Sequence, residues 1–382
     1  MHDPRLAKLA NVLVNYSVAV KKGQLVAITM PAVAAPLAEE CVRAVLEAGG
    51  HPSVRLLPDN LPELMLTHAS DEQLSTTNPL LLHEIEQVDA RIAVWAESNT
   101  KSLSNFEAKR LSLMSKARKP IMQVNMDRAA KEELMWVGTL YPTAAHAQDA
   151  EMGTREYADF VFKAGLLDHP DPAASWKKLG EAQQRLVDFI HEQIDKGKTE
   201  YRVQAGNGTD ITMDLAGRKW INCDGQANFP DGEVFSGPVN DSANGTVKYS
   251  FPAVAMGREC DGIELTFRDG KCVDAKADKG EDFLLAMLDQ DEGARRIGEC
   301  AIGTNYGITK YTKNTLFDEK IGGTVHFAVG EAYPETNADN KSALHWDMVC
   351  DLREPAGGGT ITVGGEVISK NGRFTKDGFP AS

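Results

Sequence analysis

At 382 residues, with 42% hydrophobic and 25% charged residues, the chain has the composition of a soluble globular protein long enough for two domains. Its net charge of -14 argues against nucleic acid or an anionic membrane surface as the main partner, and no apolar run approaches the roughly 18 residues that a membrane span requires. The six cysteines form no C-x-x-C pair, and no basic segment near the N-terminus leads into a long apolar one; together these predict free thiols, no secretory signal and a cytoplasmic location.

The first half reads as alternating helices and strands. Leu6, Leu9, Leu13 and Val14 recur at helical spacing across Pro4–Val18. Gln24–Met30 is a nearly continuous apolar run, as expected of a strand buried on both faces. Val33, Leu37, Cys41, Val45 and Leu46 trace a second helix closed by Gly49-Gly50. Pro52–Leu57, Arg91–Trp95 and Ile121–Met126 read as further strands. Ser104-Asn105-Phe106-Glu107 has capping-box spacing and predicts a helix to about Ser115. After Pro142 come two more helical stretches, the second over Ala174–Asp195, until Lys196-Gly197-Lys198 breaks the pattern. The expected arrangement is a doubly wound, mostly parallel α/β domain over residues 1–197.

A nucleotide has little support in this half. The first strand runs into Met30-Pro31-Ala32-Val33 with no G-x-G-x-x-G, and no phosphate-binding P-loop occurs, which weakens a nicotinamide oxidoreductase. His83-Glu84 and His191-Glu192 begin like the H-E-x-x-H zinc motif but lack its second histidine, so both read as polar helix surface. His51, His68, His146 and His169 have no evident partner in sequence.

From Thr199 the chain becomes rich in Gly, Asp, Asn, Thr and Val. Strands are expected at 201–203, 211–215, 248–251, 263–267 and 271–275, with one helix over Glu281–Leu288. Residues 198–382 thus read as an α+β, mainly antiparallel domain whose last segment, Ser369–Ser382, lies loosely on the surface. Thr324–Val329 and Ala343–Val349 are two alternating runs. As strands they put Phe327 and Trp346 into a core and leave His326, His345 and Asp347 for the opposite face. Two imidazoles and a carboxylate are donors suited to a zinc-type ion. Glu233, between Pro230 and Pro238 and followed by Val234-Phe235, is a carboxylate on a chain that dives inward. Glu299 lies among small and apolar residues in Arg296–Asn305. Either acid is equally a buried ion-pair partner or a ligand, since burying an unpaired charge is costly. The five side chains are candidate donors within one domain.

Asn228-Phe-Pro-Asp-Gly-Glu233-Val-Phe, Gly298-Glu299, His326-Phe-Ala-Val-Gly330 with Tyr333-Pro334, and Ser342-Ala-Leu-His345-Trp-Asp347 closely resemble the aminopeptidase T and aminopeptidase S family of metallo-aminopeptidases. The order and rough spacing match over the C-terminal half, and the helix-strand N-terminal half fits as well. The resemblance implies that Glu233, Glu299, His326, Tyr333, His345 and Asp347 surround two divalent ions (zinc, cobalt or manganese). It also implies a cytoplasmic homodimer that removes N-terminal residues from peptides with a free N-terminus. Three carboxylates against two divalent ions leave about one positive charge for a hydroxide to neutralise, as a two-metal-activated water requires. Glu299 is expected to bridge the ions, and Tyr333 either to coordinate or to donate a hydrogen bond to the tetrahedral intermediate. Glu331 is a conceivable base. The alternatives are another dinuclear metallohydrolase, an amidase or phosphoesterase, or a non-catalytic protein that binds a small ligand.

Overall fold

The apolar run that leads the chain becomes the strand Leu25–Pro31, second from one edge of a five-stranded sheet. In the computed structural model, which describes residues 3–381, the sheet order is 51–57, 25–31, 90–95, 135–140 and 228–229, every pairing parallel. Leu25–Pro31 therefore has the next strand on one side and the one after on the other, which is double winding. By contacts the chain divides into one unit that runs to Ala173 and includes Gly225–Pro230, and a second made of Ala174–Asp224 and the chain from Asp231 onward.

Two expectations for the first unit are corrected. Ile121–Met126 is not a strand: it lies within the helix Ala108–Ala130, which accommodates Pro120. Ile121 and Val124 pack on Ile85, Val88 and Leu134, Asn125 is buried and accepts from Arg91, and Met122 and Met126 are exposed. That is helical, not alternating, periodicity. Ser104 forms no capping box, because its N–H donates to Lys101 and that of Phe106 to Leu103 in successive turns; the box forms instead at Ser70 and Gln73. The next strand, Met135–Leu140, carries no strong signal because Gly138 interrupts it; a Cβ there would lie 2.5 Å from the Trp95 ring. The helices Leu61–His68, Asp71–Ser75 and Pro79–Gln87 were likewise not anticipated, each being short and weakly amphipathic.

In the second unit an eight-stranded and a five-stranded antiparallel sheet contribute one face each to a single apolar cluster. Val234, Cys300, Ile302, Val325, Phe327, Val329, Trp346 and Met348 face it from the smaller sheet, with Tyr201, Val203, Ile211, Leu265 and Ile361 from the larger. The helix Pro172–Asp195 adds Leu186, Val187 and Ile190, and the helix Glu281–Leu288 adds Leu284 and Leu288. The last segment does not lie loosely: it forms the strands Glu366–Lys370 and Arg373–Phe374, and Phe379 packs edge-on against Phe189 and Phe374.

One irregularity in the smaller sheet decides where Glu299 points. The strand Ile297–Gly303 pairs with Thr324–Gly330, but Ile297 opposes Val329 while Glu299 opposes Ala328. Gly298 is the extra residue of a β-bulge, so Glu299 points away from the core although Ile297, two residues earlier, points into it. A side chain cannot be added at the bulge, since a Cβ on Gly298 would lie 2.2 Å from the Gly330 carbonyl oxygen and 2.4 Å from that of Glu331. We expect Gly298→Ala to cost ~1–3 kcal/mol of stability, read from denaturant unfolding, because the two strands must part to admit the methyl group.

Candidate metal centre

The face of the five-stranded sheet turned away from the core collects the polar side chains. Opposed residues in an antiparallel ladder share a face. Glu233 opposes Gly303, Phe235 and His326 both oppose Ala301, Glu299 and Asp347 both oppose Ala328, and His345 opposes Gly330. Glu233, Glu299, His326, His345 and Asp347, which are scattered in sequence between positions 233 and 347, therefore sit on one surface. The residues between them are Ala301, Gly303, Ala328 and Gly330, which leave that surface unfilled.

The donors converge closely. His326 Nε2 lies 3.0 Å from Glu299 Oε1, 3.5 Å from Glu233 Oε2 and 3.9 Å from Asp347 Oδ1. His345 Nε2 lies 3.6 Å from Glu299 Oε2 and 3.5 Å from Asp347 Oδ1. Glu299 thus turns one oxygen to each imidazole. Two sets of possible ligands result, Glu233 with Glu299 and His326, and Glu299 with His345 and Asp347. Tyr333 is beside them: its ring is edge-on to His345 at 5.0 Å and to Phe235 at 5.6 Å.

Both imidazoles are fixed from behind. His326 Nδ1 is 2.9 Å from the Glu319 carbonyl oxygen and His345 Nδ1 is 2.8 Å from that of Glu331. Nδ1 must donate to a carbonyl, so in the neutral ring Nε2 carries a lone pair, aimed at carboxylate oxygens. Acceptor facing acceptor is unfavourable unless a cation lies between them. Burial lowers the pKa of both histidines, but the carboxylates outweigh it and raise each to about 10, Glu299 foremost for His326 and Asp347 for His345. Burial raises Glu233 and Glu299, with Lys320 offsetting it for the first and His326 for the second. Burial also pushes Asp347 up, yet His345, His326 and Lys320 hold it down near 2. Glu233 Oε2 and Asp347 Oδ1 are buried and accept no hydrogen bond. Buried acceptors of this kind normally have a partner. The donor set, the fixed Nε2 lone pairs and these two unpartnered oxygens all fit divalent cations.

Other groups in the cluster were not anticipated. Glu319 groups with His326 and Asp347 as a further possible ligand, and Cys223 with Asp231 and Glu233. Burial, then Asp231 and Glu233, hold the Cys223 thiol well above its usual range, so it is neutral. Lys320 is fully buried among Asp231, Glu233 and Glu319. The only local hint is weak: Asp318-Glu319-Lys320 is a charged triplet three residues ahead of a wholly buried strand, which does not by itself place the lysine inside. The Glu331 carboxylate is engaged elsewhere, by Lys341 at 3.1 Å and by the Ser342 N–H at 2.6 Å. In the first unit His146 does have partners, Glu97 at 3.0 Å and Thr143, but every cluster of three or more possible ligands among the described residues belongs to the second unit.

The sequence profile of the family described as thermophilic metalloprotease (M29) matches residues 2–374. Aminopeptidase 2 of Geobacillus stearothermophilus is 28% identical over 365 residues, covering 90% of this chain and 87% of that protein. Aminopeptidase T of Thermus aquaticus is 26% identical, covering 97% of this chain and 98% of its own. Among solved structures, wild-type AmpT from Thermus thermophilus has the same fold, with a TM-score of 0.83 at 24% identity, over 97% of this chain and 99% of that one.

Cation binding here must displace a proton from each imidazole it engages. The apparent affinity of chelator-stripped protein for zinc should therefore fall as pH falls below the value near 10 that the histidines share. The expected slope is about tenfold per pH unit for each proton displaced, measured by competition with a chromophoric chelator at several pH values.

Proposed function

The chain belongs to the thermophilic metalloprotease (M29) family, a family of metal-dependent peptidases, and from that premise we propose that it is an aminopeptidase working with two divalent ions. The second unit would be the catalytic one. The observation that carries this reading is the double role of Glu299, whose two oxygens face two different imidazoles at 3.0 and 3.6 Å. Glu233, Glu299 and His326 would hold one ion and Glu299, His345 and Asp347 the other, Glu299 being common to both sets. The relatives named as aminopeptidases support the substrate class.

When bound, two such ions supply Lewis acidity for the scissile carbonyl and a water of lowered pKa. The protein's own groups do the rest. The carbonyls of Glu319 and Glu331 fix which nitrogen of each imidazole faces the centre. Of the clustered acids, Asp347 and Glu319 are the most exposed, with side chains 14% and 15% accessible. Glu319 is engaged by Lys320, which leaves Asp347, held in its charged form, to face an incoming α-ammonium group, which only a chain end carries. Burial and then Glu299 and Asp347 hold the Tyr333 phenol well above its usual range, so it keeps its proton. We assign that hydroxyl as a hydrogen-bond donor to the developing oxyanion.

A phosphoesterase is less well served. Its substrate is anionic, and the one buried cation of the cluster, Lys320, is inaccessible and already faces three carboxylates. Hydrolysis of leucyl p-nitroanilide without hydrolysis of p-nitrophenyl phosphate is the expected pattern. Chelation should abolish it and re-added zinc or cobalt restore it.

Variants separate the roles. Glu299→Gln should lose both ions and His345→Ala one, by elemental analysis of folded protein, and both should lose turnover. Retained activity in either would remove the proposal. Tyr333→Phe should keep its metal content while kcat falls by about 10²–10³-fold; loss of metal instead would make the phenol a ligand.

A further inference from the structure

The two halves of the proposed centre are built differently. His345 is held by the carbonyl of Glu331, whose loop is fastened by Lys341 and Ser342. The other half depends on a single turn, Glu319-Lys320, which follows the helix Thr315–Asp318. The Glu319 carbonyl takes the His326 Nδ1 hydrogen. Lys320 Nζ lies 3.4 Å from Glu233 Oε1 and 4.0 Å from Asp231 Oδ1, and touches Glu319 Oε1. The turn is itself pinned. The Lys320 N–H donates to Phe317, the Lys320 carbonyl accepts from Asn305 at 3.1 Å, and the Asn305 side chain donates to the Asp231 carbonyl at 2.8 Å.

We propose that Lys320 is a positioning residue, a fixed internal cation that holds Oε1 of Glu233 so that Oε2 faces His326, and that it acts chiefly on that half of the centre. The inference rests on the two-ion reading of the proposed function. Lys320 is 0% exposed, so neither substrate nor solvent reaches it. An ammonium group so buried persists only with counter-charges, and those it has are a ligand of one ion and two acids outside both principal sets. Glu233 is thereby divided. Oε1 is committed to the lysine, while Oε2 accepts no hydrogen bond and lies 3.5 Å from His326 Nε2. Without the ammonium group, Asp231, Glu233 and Glu319 would face one another unneutralised. Glu233 would then turn away and cease to present Oε2. The carboxylates within 4.0 Å of Lys320 do not include those facing His345; Lys320 reaches Asp347 only through its longer-range field, as the last of the three groups that hold that carboxyl down, so that half would be disturbed far less.

The test uses the full chain, stripped with a chelator and titrated with cobalt against a chromophoric competitor. Wild type should bind two ions. Lys320→Met should weaken the ion beside Glu233 by about tenfold or more and the ion beside His345 by no more than about threefold. Lys320→Arg, which keeps the charge, should hold both within about threefold. In a Glu233→Gln background the Lys320→Met change should weaken the ion beside His326 by no more than about a further twofold, because the lysine acts through the residue already altered. That double variant also lacks the charge most exposed by losing the lysine, so it can be read if the single variant does not fold. Folded Lys320→Met that binds both ions normally, or weakens both equally, would overturn the inference. So would Lys320→Arg that loses one ion, or an additive effect in the Glu233→Gln background. A wild-type chain that binds fewer than two ions would instead overturn the two-ion reading, and this inference with it.

Discussion

The second unit is organised around a buried excess of negative charge. Asp231, Glu233, Glu299, Glu319 and Asp347 belong to a chain of overlapping clusters, each with its possible ligand atoms within 4.8 Å of one another, with one ammonium group and two imidazoles among them. Burial raises the pKa of most of these acids, which expresses how poorly the protein alone solvates them. Such a cluster is tolerable only if cations complete it. One such cation, Lys320, is part of the chain, and the oxygens and imidazole nitrogens it leaves unmatched are a donor set that fits divalent ions. The fold's contribution is to keep the acids from relaxing apart.

It does so with a sheet whose two faces have opposite tasks. On one face Val325, Phe327, Val329, Trp346 and Met348 pack into the core and fix the strands in register. On the other, glycines and alanines at the central positions leave room, and the acids and imidazoles surround that space. A one-residue slip would exchange the two sets, placing carboxylates in the core. The bulge at Gly298 offsets the register between these strands, and it is what turns Glu299 toward the histidines. Precision at the centre is thus inherited from hydrophobic packing on the far side of the same strands.

Backbone carbonyls complete the arrangement. Glu319 and Glu331 contribute their main-chain oxygens to the histidines, although their own carboxylates point elsewhere, one to Lys320 and the other to Lys341 and Ser342. Orientation of an imidazole by a carbonyl selects its tautomer without adding charge to a site that already has too much.

Much of this was legible in sequence, because alternation has a period of two and is local. Val325, Phe327 and Val329 against His326, and Trp346 and Met348 against His345 and Asp347, announce two-faced strands wherever those strands lie. The same logic misled at Ile121–Met126, where Ile121, Val124 and Asn125 are spaced for a helix, and it was blind at Met135–Leu140, where Gly138 makes way for Trp95. Sequence by itself determined which residues are polar on which face, and its likeness to known metallo-aminopeptidases pointed to the donors. Only the tertiary structure decided that Glu299 faces those donors rather than the core, that each of its oxygens meets a different imidazole, and that Lys320 stands inside the acid cluster. Register, bulges and neutralisation of buried charge depend on which distant segments become neighbours, and no local pattern in the chain encodes that.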